Sequence, residues 1–192
     1  RVPGSRPGGR ALEPTNFDAG LLEDEFLKMR EQNPQMLIMK RIFMTVYEAR
    51  TMLTRTPGWI GITMRLMARY WLDLPWRFKS PRDRNLAMGN ALVGMLRRSL
   101  MDRDIPLWLK TPAQELIVED DRVVGVAAEK EGRPIRIRAD KGVVLAAGGF
   151  EGNQAMREQY LPNPTRAEWS CANKHNTGDA ISMGQKLGAA ID

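Results

Sequence analysis

Two glycines close the apolar run in "GVVLAAGGFEGN", residues 142–153, and they mark the first place in this sequence where chemistry could be housed. Glycine inside a strand costs backbone entropy. Gly148 and Gly149, after Val143–Ala147, therefore predict either a φ that other residues avoid or a ligand or helix lying against bare main chain. Asp179 is a second candidate, because a carboxylate after Thr177-Gly178 either caps a helix N-terminus or makes a polar contact to a ligand, and one residue can do both. The other reactive residue types carry less. His175 is the single histidine and Cys171 the single cysteine, too few soft ligands for a metal, so a solvated loop histidine is expected. "GNALVG" at 89–94 has the glycine spacing of a phosphate loop, but Met95 and Leu96 stand where Lys and Ser or Thr are required, which argues against a nucleoside triphosphate site. Tyr47, Tyr70 and Tyr160 lie in no motif that assigns them an acid or base role.

The whole chain sets the bounds for these candidates. It has 192 residues, 43% of them hydrophobic, enough for one ordinary core and without low-complexity tracts. Its 29 Lys and Arg against 23 Asp and Glu leave a net charge of +6, which suits an anionic partner: a nucleic acid, a lipid headgroup or a phosphate-bearing cofactor. One cysteine excludes an intramolecular disulfide framework and is consistent with a reducing compartment. The sequence starts at Arg1, its first methionine is Met29, and "QKLGAAID" stops where a helix hands over to a strand. It reads as an interior piece of a longer protein, with "RVPGSRPGGRALEP" as a loop. No run reaches the roughly 18 apolar residues of a spanning helix, and no signal-peptide pattern opens the chain.

The elements that must position the candidates follow from periodicity and breakers. Residues 1–35 read as surface loop with a turn of helix at "LLEDEFLKMR". From Met36 to Phe78 two helical stretches are divided by Pro57 and Gly58. In the second, Ile60, Met64, Met67, Trp71 and Leu74 recur at spacings of three and four, predicting an amphipathic helix that buries this face, with Arg65, Arg69 and Asp73 off it. Interfacial membrane binding is the alternative use of such a helix, and packing on its own domain is favoured. Ser80 offers an N-cap before Pro81 for a helix running to about Arg103, with Leu92, Met95, Leu96, Ser99 and Leu100 on its face. Five short runs then favour strand. "QELIVE", "VVGVAAE" and "PIRIRA" predict an antiparallel meander, whereas "IPLWL" and "GVVLAA" read as buried strands of a mostly parallel sheet. In open α/β sheets ligands bind beyond the carboxyl ends of such strands, where the two glycines stand.

"TPAQELIVEDDRVVGV", then "IRADKGVVLAAGGFEGNQAMREQYLPNP", then "NTGDAISMGQKLGAAID" resemble, in this order and spacing, the flavoprotein family that contains fumarate reductase and the 3-oxosteroid 1-dehydrogenases. The resemblance is strongest over residues 85–192, and "LAAGGFEGN" followed by "NTGD" is its most specific part. "PGGRALEP" and "MGNALVGML" are more similar to the steroid dehydrogenase branch. The resemblance implies an α/β fold: an incomplete glutathione-reductase-like FAD-binding domain with a three-stranded antiparallel meander and a preceding helical segment. It implies residues 1–80 as loop and amphipathic helix, 81–150 as part of the FAD-binding domain, and 151–192 as its continuation towards a substrate-binding cap domain.

By the same resemblance the cofactor is FAD. The main chain at Ala113 would contact the adenine, and Ala147, Gly148 and Gly149 would line the path of the dinucleotide. Asp179 would make a polar contact towards the flavin, with Gly89 and Asn90 as further neighbours. The G-x-G-x-x-G fingerprint does not occur in these residues, so the chain alone is expected to be inactive. The implied activity is desaturation of a carbon pair next to a ketone, on a small-molecule substrate such as a steroid, with an electron acceptor that reoxidises the flavin. Fumarate-reductase-like chemistry and a non-catalytic basic module on a membrane surface are the alternatives. No nucleic acid is expected as partner, and the implied location is cytoplasmic, with peripheral membrane attachment as its variant.

Overall fold

A computed structural model describes residues 14–191. "RVPGSRPGGRALEP" lies outside these residues except for Pro14. The chain divides by its internal contacts into two compact units that meet at Leu107 and Trp108, and each is described by itself.

The first unit begins with a two-residue strand, β1 (Phe17–Asp18), a 3₁₀ turn at Ala19–Leu22 and a short helix, α1 (Glu25–Lys28). A hairpin of helices follows: α2 (Val46–Leu53) and α3 (Trp59–Leu72). Thr45 and Glu48 close a capping box at the start of α2. Between the two helices Gly58 takes φ +94° as the N-cap of α3, which is why the chain breaks at Pro57-Gly58 as its sequence predicts. Next come α4 (Leu74–Lys79), β2 (Asn85–Leu86), which pairs antiparallel with β1, and α5 (Met88–Met101).

Burial in this unit departs from the sequence-based expectation on two helices. α3 buries Leu66 and Tyr70 against Ile42, and Ile60, Met64, Trp71 and the following Leu74 are exposed; of the expected face only Met67 is partly covered. α5 starts at Met88 rather than after Ser80, because α4 ends at Lys79 and the Ser80 hydroxyl accepts from the Arg82 N–H within the intervening turn. It buries Ala91 and Gly94, not Leu92 and Leu96. The reason is steric: a Cβ on Gly94 would stand 2.7 Å from the Phe17 ring, so only small residues allow β1 to lie this close. Phe17, Leu22, Phe26, Phe43, Trp76 and Leu86 complete that core.

The irregular stretch 80–85 would leave main-chain carbonyls without partners, and side chains supply them. The Tyr70 hydroxyl donates to Pro81 O at 2.6 Å and Trp76 Nε1 to Arg82 O at 2.8 Å. Asp83 accepts from the Phe43 N–H, the Asn85 N–H and Arg69 Nη2, at 3.1, 2.9 and 3.1 Å. On α1, Glu25 receives Lys28 and both Nε and Nη2 of Arg97, at 3.2 and 2.9 Å for the latter two. These hydrogen bonds, Lys28's first and Arg97's second, hold its carboxyl below the usual carboxylate range. A carboxyl with a depressed folded pKa contributes stability above its unfolded pKa, and that contribution is lost as pH falls through the folded value. Arg97→Gln is therefore expected to lower the melting temperature at pH 7 and to lower it less at pH 3. An equal loss at both pH values in calorimetry would show that Arg97 acts by packing alone.

The second unit opens with the meander that the sequence predicts: β3 (Ala113–Glu119), β4 (Arg122–Lys130) and β5 (Arg133–Arg138), in the order β3-β4-β5, all antiparallel. Both hairpins turn on two residues with positive φ, Asp120-Asp121 at 48° and 59° and Glu131-Gly132 at 53° and 74°. This is the type I′ geometry whose twist matches the flanking strands. In β4 a Cβ at Gly125 would meet Ile137 O at 2.2 Å, so glycine is needed where β5 crosses closely. Two helices follow, α6 (Gln154–Tyr160) and α7 (Asp179–Gln185).

"IPLWL" and "GVVLAA" are not buried strands in this chain. Residues 105–109 and 142–147 form no strand, and Val144 is 89% exposed. A parallel strand is stable only between neighbours that take its N–H and C=O groups, and neither run pairs with a described strand.

Candidate cofactor site

The glycine turn after residue 147 is held by a second loop of the same unit. The Gly178 N–H donates to Gly149 O at 3.0 Å, and the Gly152 N–H donates to Asn176 O at 2.8 Å. Asn153 stitches the two further: its Nδ2 donates to Thr177 O at 2.9 Å and its Oδ1 accepts from the Met156 N–H at 3.2 Å, capping α6. The N-termini of α6 and α7 are thereby tied together by a small hydrogen-bonded frame. Met156 fills it from below, so close to Gly178 that a Cβ there would overlap its sulfur.

Within that frame the predicted residues separate into distinct roles. Gly148 takes φ +84°, and a Cβ on it would stand 2.9 Å from Asn176 Oδ1; Gly149 likewise faces the Glu151 carboxylate at 2.8 Å. The neighbouring loop thus already explains the glycine requirement at 148. Asp179 is exposed and occupies the first helical position of α7, where its charge is favourable, while Gly178 with φ +80° is the N-cap. Its Oδ1 accepts from the Thr177 hydroxyl at 3.0 Å. Ala113 opens β3 opposite Ala128 and is exposed. Gly89 and Asn90 open α5 in the first unit, with open space beside the Gly89 α-carbon.

The tyrosines are committed to structure or stand outside the frame. Tyr70 is buried with its proton given to Pro81 O, Tyr160 accepts at 2.7 Å from Gln185 with its ring tilted against Phe150 at 5.8 Å, and Tyr47 is exposed. His175 and Cys171 lie exposed in the 170–176 loop, and no group of three or more His, Cys, Asp or Glu among the described residues could hold a metal.

Sequence reasoning missed Gly152, Asn153, Asn176 and Gly178. The available signal was Asn153 before "QAM", an N-cap pattern whose side-chain amide also has a donor to spare.

The main chain from Gly142 to Gly148 forms no hydrogen bond among the described residues, and its small side chains stand exposed apart from half-buried Val143. Seven consecutive residues with free N–H and C=O groups, ending on a fixed glycine turn, leave room for a flat or extended group to lie on backbone. The residues fit a dinucleotide in this respect.

Comparison with known proteins decides the family, since the profile described as FAD binding domain matches residues 23–192. The chain belongs to that FAD-binding family. Its relatives include a 3-oxosteroid 1-dehydrogenase of Comamonas testosteroni, 39% identical over 96% of this chain and 32% of that protein. A 3-oxosteroid 1-dehydrogenase of Mycobacterium tuberculosis is 35% identical over 100% of this chain and 34% of its own length. The crystal structure of 3-ketosteroid delta1-dehydrogenase from Sterolibacterium denitrificans in complex with 1,4-androstadiene-3,17-dione superposes with a TM-score of 0.91 at 48% identity. That superposition covers 98% of this chain and 34% of the other. The chain thus spans about a third of the length of the relatives it matches, as a fragment of the FAD-binding fold with a three-stranded antiparallel sheet.

Proposed function

We propose that the protein carrying this chain is an FAD-dependent oxidoreductase of the 3-oxosteroid 1-dehydrogenase type, which introduces a double bond into a ring next to a ketone. The observation that carries this reading is the agreement with the Sterolibacterium enzyme in both fold and sequence over nearly all of these residues. At that identity the two chains share their backbone course through the glycine frame.

In this reading the open main chain at Ala147 and the turn at Gly148 and Gly149 hold the dinucleotide, Ala113 contributes main chain at the start of β3, and Asp179 offers a carboxylate at the first turn of α7. Bound FAD supplies the acceptor for the hydride that leaves the substrate. The chain's own contribution is positional: Asn153 and the Gly152–Asn176 and Gly178–Gly149 bonds fix the turn, so that the backbone against which a cofactor rests does not have to order on binding. The second hydrogen would leave the carbon next to the ketone as a proton, and an external electron acceptor would have to take up the two electrons.

Incubation of the whole protein with a 4-ene-3-oxosteroid and an artificial electron acceptor is expected to give a 1,4-diene two hydrogens lighter by mass spectrometry. Reduction of the acceptor should match it mole for mole. A flavin-replete protein that leaves the steroid unchanged and reduces fumarate would overturn the steroid reading while keeping the family.

A further inference from the structure

We propose that the Glu151 carboxylate accepts a hydrogen bond from the flavin half of the bound cofactor and, by its charge, lowers the reduction potential of that flavin. The proposal rests on the reading of the whole protein as an FAD enzyme. Among the described residues the Glu151 side chain forms no hydrogen bond and no ion pair, and its Oε2 is shielded from solvent without a partner. A carboxylate oxygen left in that state costs more than a neutral group would, so it points to a donor that arrives from elsewhere. Looseness does not explain it. The Asn153 N–H donates to Phe150 O at 2.9 Å and the Gly152 N–H to Asn176 O at 2.8 Å, which closes a turn with Glu151 inside it.

The carboxylate lies on the glycine turn. A Cβ on Gly149 would stand 2.8 Å from Oε2 and 3.0 Å from Oε1, so glycine at this position lets both oxygens come against the main chain. Gly149 O accepts from the Gly178 N–H at 3.0 Å, which sets the turn beside Asp179, the residue that the FAD reading turns towards the flavin. An ionised carboxylate only accepts hydrogen bonds. It therefore suits the donors of the flavin half, the ring N–H and the ribityl hydroxyls, and not a pyrophosphate, which brings negative charge and no donor. Its charge then acts on the redox step. Hydride brings two electrons and one proton to the ring and leaves an anionic hydroquinone, which a nearby carboxylate disfavours most where water is excluded. Glu168 and Lys174 border a cavity of about 310 Å³ together with Glu151, but both are exposed and neither pairs with it, so water screens them as it does not screen Oε2.

The test uses the whole protein and reads the flavin rather than turnover. Glu151→Gln keeps an acceptor and removes the charge, so its flavin, titrated against a reference dye, is expected to shift roughly tenfold or more towards the reduced form. Glu168→Gln is the control and should shift that equilibrium by less than about twofold. Glu151→Ala should weaken FAD binding roughly tenfold or more, because a hydrogen bond to a charged group is lost. The melting temperature of its flavin-free form should be unchanged or raised, since an unpartnered oxygen has been removed. The proposal is overturned if Glu151→Gln leaves the reduction equilibrium at the native value, or if Glu151→Ala keeps the native flavin affinity. It is also overturned if Glu151→Ala lowers the melting temperature of the flavin-free protein, which would mean that another part of the polypeptide supplies the donor. In each of these cases the native protein still binds flavin and the FAD reading stands. A native protein that takes up no flavin overturns that reading, and this proposal with it.

Discussion

Asp83→Ala is expected to destabilise the protein by about 3 kcal/mol, which for a chain of this size is a drop in melting temperature of roughly 6–12 °C. The carboxylate is buried at 4% exposure and serves three donors from separate parts of the first unit: the Phe43 N–H, the Asn85 N–H and Arg69. Truncation leaves two buried N–H groups without acceptors and strips Arg69 of its counter-charge, with Arg69 Nε already lacking a partner. The figure is kept at the lower end for broken buried pairs because the Arg69 side chain is 32% exposed and water screens it. Asp83→Asn keeps one acceptor oxygen but loses the charge and the second acceptor, so it should fall between the native protein and Asp83→Ala in thermal unfolding. A melting temperature of Asp83→Ala within a degree or two of the native value would mean that the loop 80–85 is held by Tyr70 and Trp76 without it.

Gly152→Ala should cost about 3 kcal/mol in the second unit, although it adds only one methyl group. Its Cβ would stand 2.4 Å from Lys174 O and 3.1 Å from Asn176 O, and both are main-chain atoms that no rotamer change can move. The two loops must separate, which breaks the Gly152–Asn176 bond and strains the Gly178–Gly149 bond beside it. Gly149→Ala is the comparison, since its Cβ meets only the movable end of Glu151 and its cost should stay within about 1 kcal/mol. In the whole protein the flavin absorbance per mole should fall for Gly152→Ala, because the turn beneath Ala147 is no longer fixed. A Gly152→Ala protein with native stability and a full complement of flavin would show that the frame is slack and does not position the cofactor. Flavin lost from Gly149→Ala without loss of stability would put the cofactor directly against residue 149.

Where the local signal was unambiguous, the sequence by itself determined the structure. Asp120-Asp121 and Glu131-Gly132 sit between alternating runs, and two-residue turns with positive φ leave the chain little choice but to reverse; the meander follows. Gly58 after Pro57 starts α3 for equally local reasons, and the glycine-rich phrases that mark the family are read in order along the chain. Tertiary structure alone decided which sides are buried. α3 is apolar around most of its circumference, so its periodicity fits a buried Ile60–Met64–Trp71 line as well as the observed Leu66–Tyr70 line. Ile42 and the arginine pairs to Glu48 and Asp83 settled the choice. On α5 the close approach of Phe17 favoured Ala91 and Gly94 over the larger leucines. The apolar runs at 105–109 and 142–147 have strand composition, but a strand is a property of its neighbours, and pairing cannot be read from one segment. The same holds for the glycine turn, where Gly152 and Gly178 matter because of backbone atoms more than twenty residues away in the chain.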